Sequence, residues 1–146
     1  MKFATYVLGC LFGASLFVSC QGTEEAPKTD ENWEPDMYQP SELVVVMRQM
    51  FDENIALKDS IAKGIVPKEV PAKYREILTA TATNPAELDE IYYAMANVYL
   101  ENYNVLTKAD SATAIDKYNI VVKSCIGCHQ NYCLGPIPKI EKLYID

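Results

Sequence analysis

The chain has one histidine, His129, and one tryptophan, Trp33. A single histidine excludes any metal or haem site that takes two imidazoles from one chain. Positive charge is also scarce. Lysine and arginine total 13 against 20 acidic residues, a net charge of −7. That balance argues against nucleic-acid binding, which needs a basic footprint. It argues equally against docking on anionic lipid by charge alone, and it suits a basic or neutral protein partner. Alternating β-branched runs are few, so strands are not signalled. No internal repeat is visible. Beyond the first nineteen residues no hydrophobic run is long enough to span a membrane. With 146 residues, 49% of them apolar, the chain has material for one domain with a real core.

The apolar start has the features of a leader. Met1 and Lys2 are followed by a mostly apolar run from Phe3 to Val18, interrupted by Gly9, Gly13 and small polar residues. The run is short and ends in small residues, the pattern of a secretory signal. Leu16-Phe17-Val18-Ser19-Cys20 resembles the lipobox of bacterial lipoproteins, with Phe17 where that motif prefers Leu. The resemblance implies that residues 1–19 are removed, that Cys20 is lipidated, and that the chain is held in the bacterial envelope, periplasmic or outer-membrane side. The plainer alternative is an ordinary cleaved signal beside an incidental cysteine. Loss of Lys2 with the leader leaves 12 basic against 20 acidic residues, a net of −8. Residues 20–40 are polar, acidic and proline-containing, and read as a flexible tether. Trp33 and Tyr38 stand ready to pack against the domain, which is expected over 41–146.

The domain reads as all-α. Ser41 is a cap for a first helix whose Leu43, Met47, Met50, Asn54, Leu57 and Ile61 recur every three or four residues, with Gly64 closing it. Pro67 to about Ala80 reads as a short second helix. Asn84-Pro85 is the expected start of a third, which carries Leu88, Ile91, Tyr92, Met95, Val98, Tyr99 and Leu106. Asp110 or Ser111 starts a fourth, with Ile115, Tyr118, Val121, Val122 and Cys125, stopped by Gly135-Pro136 and Pro138. Four helices with short connections predict an antiparallel four-helix bundle. Of the ten tyrosines, Tyr92, Tyr93, Tyr99 and Tyr103 of the third helix could line a binding site, but aromatic residues on a bundle helix are more often core, and they receive no functional role.

Cysteine use is what points to chemistry. Cys10 lies in the leader and Cys20 at its end, which leaves Cys125, Cys128 and Cys133. Three clustered thiols suit a disulfide framework poorly. Cys125-Ile126-Gly127-Cys128-His129 is a C-x-x-C-H motif, the attachment signal for covalent haem. Two thiols at that spacing can add across the two vinyl groups on one porphyrin edge. The adjacent His129 then turns its imidazole to the iron as proximal ligand. Such maturation takes place outside the cytoplasm, where the leader would send the chain. Two rivals remain open. A zinc site of Cys125, Cys128, His129 and Cys133 has enough donors but crowds them into nine residues. A redox-active Cys125–Cys128 disulfide has the spacing but lacks the strand-to-helix setting usual for it.

The position of the motif, on the last helix of an expected bundle and followed by Tyr132 three residues after His129, resembles the class II c-type cytochromes: the cytochrome c′ family and its low-spin relatives. The resemblance covers roughly residues 41–133. It implies one haem c, an all-α bundle with the motif on the C-terminal helix, and a residue of the first helix over the second face of the iron. Counting back from Gly64 puts Met47 there, with Met50 one turn later as second choice and Met37 as a distant third. A methionine ligand raises the reduction potential; the ordinary role of methionine on an apolar helix face is core packing. Two departures stand out. Cys133 and Leu43 occupy positions where the family usually has cations near the haem, leaving Lys123 or Arg48 as substitutes. The sequence from Gly135 to Ile140 also ends the last helix earlier than in the family. Cys133 is expected to be a buried, inert thiol.

The implied function is outer-sphere electron transfer between protein partners, without catalysis. A five-coordinate haem protein binding nitric oxide or carbon monoxide is the alternative, and a tethered relay subunit of a larger oxidoreductase is a third. A homodimer is an open option.

Overall fold

The structure is a computed structural model, and it describes residues 38–146. The expected leader, the expected lipidation site Cys20, most of the expected tether, Trp33 and the third-choice ligand Met37 lie outside the described residues. Tyr38 is exposed and does not pack against the domain. Among the described residues the domain is all-α, with no strand, and no helix is long and apolar enough to cross a membrane.

Helix α1 spans Glu42–Ala62. The Val44-Val45-Val46 run is a poor helix former by propensity alone, so capping and burial decide. The Ser41 hydroxyl accepts from the Val44 N–H at 3.4 Å. Leu43 N–H donates to the Thr81 carbonyl, and Glu42 accepts from Thr81 N–H at 3.0 Å, which pins the first turn to the loop that follows. Val46, Met50, Asn54 and Ile61 are buried along one face. The helix ends at Gly64, whose φ of +75° is the left-handed conformation that glycine adopts without penalty.

The expected second helix is shorter and tighter than its sequence suggested. It is a 3-10 helix over Ala72–Leu78. Pro71 disfavours the helical conformation at Val70, so Pro67–Val70 stays non-helical. Tyr74 and Ile77, three residues apart and both buried, match the three-residue turn.

Asn84 does act as a cap, but only for one 3-10 turn, Pro85–Glu87. Asp89 is the cap of α2, Glu90–Leu106, its carboxylate accepting from Tyr92 N–H at 2.8 Å. The same correction applies further along. The Asp110 carboxylate closes a turn on Thr113, accepting from both its N–H and its hydroxyl. Helix α3 then begins at Ala114 and runs to Tyr132. A further turn, α4 (Ile137–Ile140), follows it, and a 3-10 turn (Glu141–Leu143) continues into the C-terminus.

The closest helix packing is α2 against α3; α1 meets α3 and the 3-10 helix, which also meets α2. Hydrogen bonds fix the directions. Asn102 donates to Ser124, and the Tyr132 hydroxyl to Asp89, so α2 and α3 are antiparallel. The Tyr118 hydroxyl donates to the Asn54 carbonyl at 3.0 Å and ties α1 to α3. Leu106, Ala114, Tyr118, Val121 and Val122 form the sealed end of the core. Tyr74 and Tyr103 stack edge-to-face at 5.3 Å beside it. Burial, and then the Glu53 charge, push Tyr103 up to about 12; burial, and then Tyr103 and Glu53, push Tyr74 higher still.

Candidate functional site

At the other end of the domain the space between α1, α2 and the C-terminal half of α3 is a pocket. Helical spacing explains how one segment supplies its chemistry. Cys125, Cys128 and His129 sit three and four residues apart, so their side chains share one face of α3. All three line the pocket. Opposite, α1 contributes Met47, Met50, Phe51 and Asn54, and α2 contributes Tyr92, Met95, Ala96 and Tyr99. Thus both first- and second-choice methionines face the same space as the cysteines and the histidine. Met50 is buried and Met47 half-buried. The non-atom space amounts to about 590 Å³, open mouth included.

The fourth wall comes from the C-terminus. Ile140 and Leu143 are buried and line the pocket. This segment is held in place by polar links. The Asn119 amide donates to the Ile145 carbonyl at 2.8 Å and accepts from Ile145 N–H at 3.0 Å. Lys58 donates to the Lys142 carbonyl at 2.8 Å.

The electrostatics distinguish the three motif residues. His129 Nδ1 lies 3.0 Å from the backbone carbonyl of Cys133. A carbonyl can only accept, so Nδ1 carries a proton, which in the neutral ring leaves the lone pair on Nε2. That arrangement sets the tautomer of metal-ligating histidines and fixes the ring orientation. Burial among apolar side chains pushes the Cys125 thiol up to about 12 and raises that of Cys128 as well. Redox dithiols depend on the opposite shift, a stabilised thiolate. Among the described residues no group of three or more His, Cys, Asp or Glu side chains comes together to hold a metal ion, so the four donors of the zinc alternative do not converge.

Among the described residues Asn54 is the one buried polar residue of the core. Its amide nitrogen donates to the Met50 carbonyl at 2.7 Å and reaches the Tyr99 hydroxyl at 3.4 Å. It therefore holds α1 and α2 in register at the depth of the pocket. The Tyr92 hydroxyl donates to the Ile77 carbonyl at 2.6 Å, which turns its ring to the pocket wall.

Cys133 is not the buried thiol expected from sequence. It is exposed, because it follows the last residue of α3 in extended conformation and the chain turns outward there. Lys123 is exposed on α3 and does not line the pocket.

The inner pocket opens into a wider groove that shares Met47, Phe51, Tyr92, Cys128, His129 and Ile140 with it. The groove adds Arg48 and Asp52 from α1, Glu87 and Leu88 from the 85–88 turn, and Lys139 from α4. Sequence reasoning missed Met95, Asn54, Ile140 and Leu143 as lining residues, and weighed Tyr99 without giving it a role. For Met95 and Tyr99 the helical period of α2 was a usable signal; for the C-terminal pair there was none.

The chain matches no protein-family model, no curated protein sequence and no solved structure.

Proposed function

We propose that this chain is a mono-haem c-type cytochrome related to the class II family, which carries electrons between protein partners outside the cytoplasm, anchored by lipid on Cys20. The observation that carries the reading is one apolar pocket lined together by Cys125, Cys128, His129 and the methionines of α1. The donor set fits haem c: two thiols on one helix face for the vinyl edge, an imidazole of fixed tautomer, and a thioether across the pocket. When bound, the haem supplies an iron that cycles between ferric and ferrous states.

What the chain does follows from its own residues. Cys125 and Cys128 would hold the porphyrin edge and His129 would ligate the iron. Met47 would take the sixth position, with Met50 as the second choice. Phe51, Tyr92, Ile140 and Leu143 exclude water from the pocket, which favours a higher potential. No general acid or base is needed, since outer-sphere transfer makes and breaks no bonds. Four-helix-bundle architecture is part of the same proposal. Its support is the antiparallel α2–α3 pairing and the run of α1 along α3, Asn54 against Tyr118 and Gly64 beside Ser111, with the 3-10 helix Ala72–Leu78 in the place of the second helix.

The optical spectrum of the purified protein tests the electron-transfer role. The expected result is a low-spin ferric spectrum with a methionine-to-iron charge-transfer band, lost in Met47→Ala and kept in Met50→Ala. A high-spin spectrum that changes on adding carbon monoxide would instead assign the chain to gas binding.

A further inference from the structure

Haem is amphipathic. Its ring is apolar, and two propionate carboxylates project from the edge away from the vinyl groups. A carboxylate taken into an apolar site without a partner is costly. The inner pocket contains no cation among its lining residues. The groove into which it opens contains two, Arg48 from α1 and Lys139 from α4. Both side chains are exposed, so both remain free to adjust to a ligand. The remaining charged residues on the groove are Asp52 and Glu87, with His129 at its inner end. Lys123, the other substitute suggested by sequence, is not on it.

We infer that the outer groove is the carboxylate-binding end of the cofactor site, with Arg48 and Lys139 receiving the two propionates. This rests on the haem reading and adds an orientation to it. Cys125 lines only the inner pocket, whereas Cys128 and His129 line both spaces. That order puts the groove, with Arg48 and Lys139 on it, on the side of the site away from Cys125, where the propionate end of a bound haem would lie. Arg48 offers a planar fork that matches a carboxylate, and Lys139 a mobile point charge. Together they replace the cations whose usual positions Leu43 and Cys133 occupy.

A cation beside the propionates opposes the positive charge of ferric iron, so its removal stabilises the ferric state and lowers the reduction potential. The test is redox titration of the full-length holoprotein and of Arg48→Gln, Lys139→Gln and Lys123→Gln, each with its haem content measured. Arg48→Gln and Lys139→Gln should each lower the reduction equilibrium constant by about threefold to tenfold, where tenfold corresponds to about 59 mV for one electron. Lys123→Gln should change it less than twofold, and Glu87→Gln should shift it the opposite way. Covalent haem with potentials that Arg48→Gln and Lys139→Gln move no further than Lys123→Gln does overturns this inference alone. Wild-type protein that carries no covalent haem overturns the haem reading as well.

Discussion

Replacing Leu143 with alanine tests whether the C-terminal segment is a wall of the pocket. Leu143 is 4% exposed and reaches the pocket from the last 3-10 turn. The substitution removes about three carbon groups from an apolar setting, at about 0.8 kcal/mol each. Leucine-to-alanine changes in sealed cores cost roughly 2.7–5.0 kcal/mol because a new cavity adds to the transfer loss. Leu143 sits on a short turn near the C-terminus that can relax into the space left, so the expected loss lies near the low end, about 2–3 kcal/mol. That is a factor of roughly 30 to 150 in the folded-to-unfolded ratio. In urea denaturation followed by circular dichroism the midpoint should fall by about 1–2 M. Leu134, 66% exposed in the connection after α3, is the control; its alanine variant should stay within about 0.5 kcal/mol of wild type. A loss under about 1 kcal/mol for Leu143→Ala would mean that the segment is not docked and that the pocket lacks its fourth wall.

Two other outcomes follow from the geometry. The Tyr132 hydroxyl, and then the Tyr92 N–H, hold the Asp89 carboxyl below its ordinary range. A carboxylate with a lowered folded-state pKa stabilises the fold above its unfolded value, about 3.9, and loses that contribution as pH falls through the lower folded value. Wild type should therefore exceed Asp89→Asn in stability at neutral pH, and the gap should close below about pH 4; a gap independent of pH in urea titrations would remove the carboxylate from the account. Thiol labelling of the folded holoprotein should modify Cys133 alone, since it is exposed, and unfolding should add no label at Cys125 or Cys128. Peptide mapping that finds label on either of these after unfolding would contradict their place in thioether bonds.

Much of the helical layout was legible because caps and apolar spacing are local. Ser41, Gly64 and the face through Met50 and Ile61 gave α1 nearly to the residue. The boundaries that shifted did so where two suitable caps compete. Asn84 and Asp89 lie five residues apart, and the tertiary fold uses the second for the helix and the first for a single turn. Asp110 and Thr113 repeat the pattern before α3. The tightening of the second segment to a 3-10 helix follows from Pro71, whose effect on Val70 is visible in sequence but whose outcome depends on where Tyr74 and Ile77 are buried. At the site, the C-x-x-C-H spacing named the residues of α3, and the family resemblance named the methionines of α1; helical spacing then turns both sets to the pocket. The return of Ile140 and Leu143 over the pocket could not be read from the sequence, since it depends on contacts between Asn119 and Ile145 and between Lys58 and Lys142 across the chain. Cys133 shows the limit of composition. Cysteine is usually buried, but here the end of α3 directs it outward.

Covalent attachment is the most direct test of the account. The protein is produced with its own leader in a host that matures c-type cytochromes, then denatured and extracted with acidified acetone. Haem should remain with the polypeptide at one equivalent per chain and show the pyridine spectrum of a double thioether. The Cys125→Ser, Cys128→Ser double variant should retain none. Haem that extracts freely, or a mature protein that holds none, would contradict the central claim.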